Sequence, residues 1–164
     1  MSKRLIVIEP TDPRQPEVRE LVAELDAYMQ GLYPAESNHL VDVETLARPD
    51  VKFFVGRVDG QSLGCAGIML RAGDPQHGGQ GEAYAEVKRI FVSPRARGLG
   101  LGRLLMKRLE EATRAEGLSL LRLETGPRQP EALALFAAHG FAPCGHFGDY
   151  PTDDPLSIFM EKRL

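Results

Sequence analysis

Gly98, Gly100 and Gly102, flanked by Arg97 and Arg103 with Leu99 and Leu101 between them, are the residues whose type and spacing come nearest to chemistry. They join a β-type run, Ala85 to Val92, to a helical run, Leu101 to Glu116. Glycine lets the backbone turn tightly and approach a ligand with no Cβ in the way. The first amides of the helix that follows have no intrahelical partner and sit at the positive end of its dipole. Such a place holds anions, phosphate foremost.

The familiar phosphate loops do not fit. The dinucleotide fingerprint G-x-G-x-x-G, started at Gly98, needs glycine where Arg103 stands, and started at Gly100 needs it at Leu105. The nucleotide P-loop needs Lys-Ser or Lys-Thr after its glycines, and none follows. The spacing that fits is R-x-x-G-x-G, met by Arg97, Gly100 and Gly102 and, in an overlapping frame, by Arg95, Gly98 and Gly100. The chain has a net charge of -3, yet Lys88, Arg89, Arg95, Arg97, Arg103, Lys107 and Arg108 follow with no Asp or Glu among them. A basic island in an acidic chain suits a small polyanion better than nucleic acid, which wants a broad basic face. The plain alternative is a glycine-rich turn before an arginine-studded, solvated helix.

Val92-Ser93-Pro94 through Gly102, with Leu104-Leu105 behind it, resembles the coenzyme A signature of the GNAT N-acetyltransferase superfamily. The likeness continues in Leu121 to Gly126, Ala132 to Phe136 and His139-Gly140-Phe141, and ends in Ser157 to Lys162. It covers residues 51–164 well and the N-terminal third by pattern only. The resemblance implies one domain over 1–164, of α/β class, with a mixed, mostly antiparallel sheet, a splayed pair of strands and helices on both faces. It implies acetyl-CoA as cosubstrate and direct attack by a primary amine in a ternary complex. The acceptor is expected to be a small metabolite or amino-acid-like amine. A protein or peptide amine stays open, as does a catalytically silent acyl-CoA sensor. Family members often dimerise through terminal strands, so a homodimer is an option here; nucleic acid, membrane and metal are not expected partners.

Acetyl transfer to an amine removes a proton from nitrogen, polarises the thioester carbonyl and gains from protonation of the leaving thiolate. Some members of the resembled family take the proton, often through water, with a glutamate at the position of Glu86. Strand alternation puts Glu86 on the face of Val92, six residues on. The other reading of Glu86 is an exposed strand residue paired with Lys88. The resemblance assigns carbonyl polarisation to the backbone N–H of Val92 or Phe91, and the pyrophosphate to the amides of Arg97 to Arg103. Gln129 stands where an asparagine often binds the cofactor arm. Phe136 departs from the pattern, because many members carry a tyrosine there that protonates the thiolate. A phenyl ring can pack on the arm but donates nothing, so Tyr150 is the expected substitute, or else a loop tyrosine shaping the pocket. Tyr28, Tyr33, Asn38 and Phe147 are the expected acceptor contacts, with Glu36, His39, His77, Asp149, Asp153 and Asp154 in the same loops.

Holding these residues requires a scaffold, and its elements are legible. Arg4 to Glu9 reads as a strand, and Val18, Leu21, Val22, Leu25 and Met29 give one apolar face to a helix over Glu17 to Met29. Asp42 caps a short helix through Ala47. Val51 to Val58 and Leu63 to Leu70 form a hairpin about Asp59-Gly60. A glycine-rich loop spans Arg71 to Gly81, and Gly117 stops the helix after the glycine run. Strands follow at Leu118 to Glu124, Phe141 to Cys144 and Leu156 to Lys162, with a helix over Pro130 to His139. With 164 residues, 43% of them hydrophobic, the chain makes about one domain. Cys65 and Cys144 are too few for a disulfide framework, and Cys65 lies in an apolar strand as a core residue. No signal peptide and no run of ~20 apolar residues is present, so a soluble cytoplasmic protein is expected.

Overall fold

The computed structural model describes residues 3–73 and 81–164. Its elements in chain order are β1 (Ile6–Pro10), α1 (Pro16–Leu32), α2 (Val43–Leu46), β2 (Val51–Val58), β3 (Gln61–Arg71) and β4 (Tyr84–Val92). They continue with α3 (Leu101–Ala115), β5 (Leu120–Thr125), α4 (Pro130–Ala138), β6 (Ala142–Pro143) and β7 (Ile158–Arg163). His77 and most of the loop expected over 71–81 lie outside the described residues. Among those described, no helix is long and apolar enough to cross a membrane.

The strands form one sheet in the order β1-β2-β3-β4-β5-β7-β6, antiparallel except where β4 meets β5. Turn chemistry sets the hairpin: Asp59 and Gly60 both take positive φ, 49° and 86°, as a tight turn between twisted strands requires. Asp42 accepts the amide of Thr45 at 2.8 Å as the cap of α2. Gly117 closes α3 at φ 74°, its N–H on the carbonyl of Arg114. On one sheet face α3 and α4 bury Leu101, Leu105, Leu109 and Phe136 against Ile68, Val87, Leu121 and Leu123. On the other, α1 lays Val18, Leu21, Val22 and Leu25 over Phe53, Val55, Cys65 and Phe91. Beside α1, the segment after β6 packs Phe147 on Tyr84 and Leu120.

β4 departs from regular alternation. Lys88 pairs with Gly67 and Phe91 with Cys65, so Arg89 and Ile90 share the place opposite Ala66. Arg89 takes φ 55°, a left-handed value that costs an L-residue about 1–3 kcal/mol. The bulge shifts the parity of the strand. Glu86 and Lys88 therefore share their face with Phe91, which packs under α1, while Val92 turns to the α3 side. The expectation that Glu86 and Val92 share a face is corrected by this extra residue. The parallel pairing of β4 with β5 runs only through Ala85–Leu121 and Glu86–Arg122, and beyond it the strands splay.

Leu101 seats α3. Gly56 and Gly64 are cross-strand partners, and a Cβ at either would stand 2.6 Å or 2.8 Å from a Leu101 methyl. The glycine pair leaves a socket, and the leucine in it fixes the start of the helix against the sheet. A Gly64→Val substitution is expected to lower stability by about 1–3 kcal/mol through overpacking. In thermal melts that is a Tm fall on the order of 2–10 °C. Adding Leu101→Ala to Gly64→Val should cost less than the two single changes summed, because the alanine vacates the crowded space.

Candidate active site

The glycine run forms a cradle at the head of α3. Gly98 and Gly100 adopt φ 81° and 80°, which strain any residue with a Cβ, and Gly100 is the N-cap of the helix. A Cβ on Gly98 would meet open space, whereas one on Gly102 would lie 3.3 Å from Leu135 and 3.6 Å from Val92. The cradle therefore approaches α4 closely and stays open in front. That hollow is lined by Arg97, Gly98, Gly100, Leu101, Gly102 and Arg103 on one side and by Tyr28, Phe91, Val92, Gln129 and Phe136 on the other. Leu99 is not part of its wall and packs on the core instead. Free helix-terminal amides beside two arginines suit a pyrophosphate.

The basic island of the sequence is dispersed in space. Lys88 and Arg89 are buried and ion-paired, to Glu86 at 2.8 Å and to Asp26 at 2.5 Å. Arg108 lies over the Phe54 ring, 4.6 Å from its centroid, away from the cradle. Arg97 and Arg103 remain at the cradle, Arg97 with Glu131 4.0 Å away.

The backbone of β4 leads out of the cradle. Ser93 N–H donates to Leu63 O at 2.8 Å, on the β3 side. Successive amides of an extended chain point to opposite sides, which directs the N–H of Val92 into the splay. Gln129 precedes α4, and its Oε1 accepts the Tyr33 hydroxyl at 3.2 Å. Phe136, buried beside Phe141, faces both this hollow and a second one.

The second cavity lies across the splay and shares walls with the first at Leu25, Ile90, Gln129, Ala132 and Phe136. Its apolar side includes Met29, Leu40, Val41 and Leu156, and its polar end gathers Tyr33, Ser37, His39, Lys88, Glu124 and Tyr150. Glu86 is 1% exposed and stands behind that end. Arg71 Nε lies 3.2 Å from Glu86 Oε1, and Glu86 Oε2 accepts from Lys88 Nζ at 2.8 Å and from the Tyr150 hydroxyl. Lys88 Nζ also donates to the Tyr150 oxygen. Burial first, and then the charge of Glu86, push the Tyr150 phenol well above its ordinary value. Its ring is held edge-on by His39, Phe147 and Phe159 at 5.4, 5.9 and 5.7 Å.

The expected acceptor residues separate. Tyr33 lines the second cavity, and Tyr28 lines the cradle hollow against Phe91. Asn38 lines neither: its Nδ2 donates to Tyr33 O at 3.2 Å and braces the loop. Phe147 also lines neither and supports Tyr150 from behind. Glu124 went unread in the sequence, and Asp154 was read only as a member of the acceptor loops, not as a tie between them. Glu124, at the end of β5, faces the cavity because β4 has splayed away, and burial raises its carboxyl above the usual range. Asp154 clasps two loops together, accepting from Ser37 at 3.1 Å with its other oxygen 3.3 Å from His39 Nε2. The available signal for Glu124 was a second charged residue, two positions after Arg122, in the otherwise apolar strand Leu120-Leu121-Arg122-Leu123-Glu124. Cys65 is sealed in the core, where burial pushes its thiol up to about 12.

Comparison with known proteins agrees with this architecture. Residues 18–141 match the model of the acetyltransferase (GNAT) family. An IAA acetyltransferase of Azospirillum brasilense is 49% identical over 159 residues, covering 97% of this chain and 98% of the relative. An uncharacterized N-acetyltransferase of Escherichia coli is 32% identical over 163 residues, covering 98% and 96%. A solved structure from Klebsiella pneumoniae, provisionally assigned as an acyl-CoA N-acyltransferase, superposes with a TM-score of 0.76 at 32% identity and covers 98% of each chain. The cradle, the splay and these relatives together make the chain a member of the GNAT acetyltransferase family, an acyltransferase whose family uses acetyl-CoA.

Proposed function

We propose that this enzyme transfers the acetyl group of acetyl-CoA to the primary amine of a small acceptor. The observation that carries the reading is the meeting of the two hollows at the β4–β5 splay, one headed by the α3 N-terminus and the other ended by a titratable cluster. In this reading the amides of Gly98 to Arg103, with Arg97 and Arg103, hold the pyrophosphate. The pantetheine arm runs along Phe91 and Val92 past Gln129 and over Phe136. The Val92 N–H, aimed into the splay, stabilises the charge that develops on the carbonyl oxygen.

The acceptor nitrogen attacks from the second cavity, so that its bond to the carbonyl carbon forms as the C–S bond breaks. Glu86 has no open path to the amine and acts through Tyr150, whose hydroxyl it already holds. The proton lost by nitrogen passes to this pair, and Tyr150 returns one to the thiolate. Its raised pKa keeps the phenol protonated, hence able to donate, throughout the neutral range. The Asp154 clasp roofs the cavity between the 31–40 and 145–156 segments, which favours a metabolite over a peptide.

Thiol release from acetyl-CoA across a panel of small amines tests the reading. Turnover is expected with at least one class of amine, whereas tight acetyl-CoA binding with no turnover of any amine would indicate a sensor. Tyr150→Phe should lower kcat by about 10²–10³-fold while leaving the KM for acetyl-CoA unchanged. A Glu86→Gln enzyme that keeps its full rate and pH profile removes Glu86 from the mechanism. Gly100→Val, which forces a branched residue to φ 80°, should raise the KM for acetyl-CoA about tenfold or more by distorting the cradle.

A further inference from the structure

The carboxylates around the polar end of the second cavity are not equivalent. Both oxygens of Glu86 are occupied, by Arg71 and by Lys88 and Tyr150. Asp154 is occupied likewise: Oδ1 accepts from Ser37 Oγ and Leu156 N–H, and Oδ2 lies against His39. Glu124 differs. Its Oε2 accepts the Ser157 hydroxyl at 2.8 Å and lies 3.9 Å from His39 Nε2. Its Oε1 has no partner among the described residues and is not sealed from the cavity that Glu124 lines. The side chain is 14% exposed, so this oxygen has little bulk water around it. One carboxylate oxygen is thus left open toward the cavity, with His39 and Lys88 the nearby basic groups and each of them held by another acid as well, so Oε1 has room for a further cation.

The cations on the same wall offer no equivalent for a negative ligand. Lys88 is held by Glu86 and Tyr150. Arg89 gives Nη2 to Asp26 and Nε to Val41 O, and its unpartnered Nη1 is shut away from solvent. Away from this polar end the wall an acceptor would touch includes the apolar side chains Met29, Leu40, Val41 and Leu156.

We propose that Glu124 is the counter-charge of the acceptor: its Oε1 pairs with the incoming ammonium and turns the nitrogen toward the splay. The enzyme thereby selects a primary amine on an apolar body and rejects the matching amino acid, whose carboxylate beside the amine would face Glu124 where the basic groups among the described residues of this wall, His39, Lys88 and Arg89, are already paired with acids. The inference rests on the acetyl-transfer reading above and narrows its acceptor. Glu124 acts as a specificity residue, while proton movement stays with Tyr150 and Glu86.

The test is steady-state kinetics with acetyl-CoA and either phenethylamine or phenylalanine, on the wild type, Glu124→Gln and Glu124→Asp. In the wild type, kcat/KM for phenethylamine should exceed that for phenylalanine about tenfold or more. Glu124→Gln should raise the KM for phenethylamine about 10–100-fold, with kcat changed far less. The KM for acetyl-CoA and the Tm should not move, and Glu124→Asp should recover part of the loss. An unchanged amine KM in Glu124→Gln, or a preference for phenylalanine, overturns the role of Glu124 and leaves acetyl transfer standing. No thiol release with phenethylamine or phenylalanine also overturns it, and only silence across the whole amine panel removes the transfer reading as well.

Discussion

Opposite Ala66 the β4 strand carries both Arg89 and Ile90 where a regular ladder has room for one residue, and the geometry of the site follows from that surplus. A bulge bends its strand and raises its twist. Here it separates β4 from β5 after Glu86–Arg122 and opens the cleft that both hollows share. It also reverses the strand faces, placing Phe91 under α1 and turning Val92 toward α3. The left-handed backbone at Arg89 persists because its surroundings over-determine it. The guanidinium reaches Asp26 of α1 and the carbonyl of Val41, while Cys65 Sγ donates to Arg89 O at 3.2 Å. One strained residue thus ties the N-terminal helix and its following loop to the cleft they cover.

Charge behaves differently in space than along the chain. The cluster from Lys88 to Arg108 reads as a concentrated basic field, but folding turns Lys88 and Arg89 inward onto carboxylates and sets Arg108 over the Phe54 ring, two turns along α3 from the cradle. What remains at the cradle is a helix N-terminus, free glycine-loop amides and Arg97 and Arg103. The pyrophosphate proposed to bind there would be held mainly by fixed dipoles that need no rearrangement. The inward cations have another use. Lys88, with Arg71 of β3, keeps Glu86 compensated within the protein, so that Tyr150 can lie against it at the cavity wall, while Arg89 holds Asp26 of α1.

Most of the scaffold was legible because its signals are local. Asp59-Gly60 demands positive φ at both residues, Gly117 ends α3, and the three- and four-residue spacing in α1 marks its buried face. The bulge was harder to see, because the residue with positive φ is an arginine and not a glycine. Its trace is the loss of alternation in Arg89-Ile90-Phe91-Val92, which follows the regular Glu86-Val87-Lys88. The residues of the cradle could be listed from the motif, since glycines and helix amides act through the backbone they build. Glu124 could not, because its access to a cavity depends on where a neighbouring strand departs. Asn38 and Phe147 were legible as members of the right loops, but whether a loop residue faces a cavity or supports its wall is decided by packing.

The exchange of hydroxyls between α4 and the 145–156 segment changes how the proposed chemistry is organised. In the resembled pattern the acid stands on the helix beside the cofactor arm; here Phe136 holds that place as a purely apolar wall. The hydroxyl comes instead from Tyr150, across the cleft and next to the carboxylate proposed to collect the amine's proton. A loop residue is a poor catalytic group unless its ring is fixed, and this ring is boxed by His39, Phe147 and Phe159 with its oxygen held between Lys88 and Glu86. Donor and acceptor of the proton are then neighbours in one hydrogen-bonded unit. The proton released on attack and the proton taken by the thiolate can pass through the same phenol, so the site needs no second acid on the cofactor side.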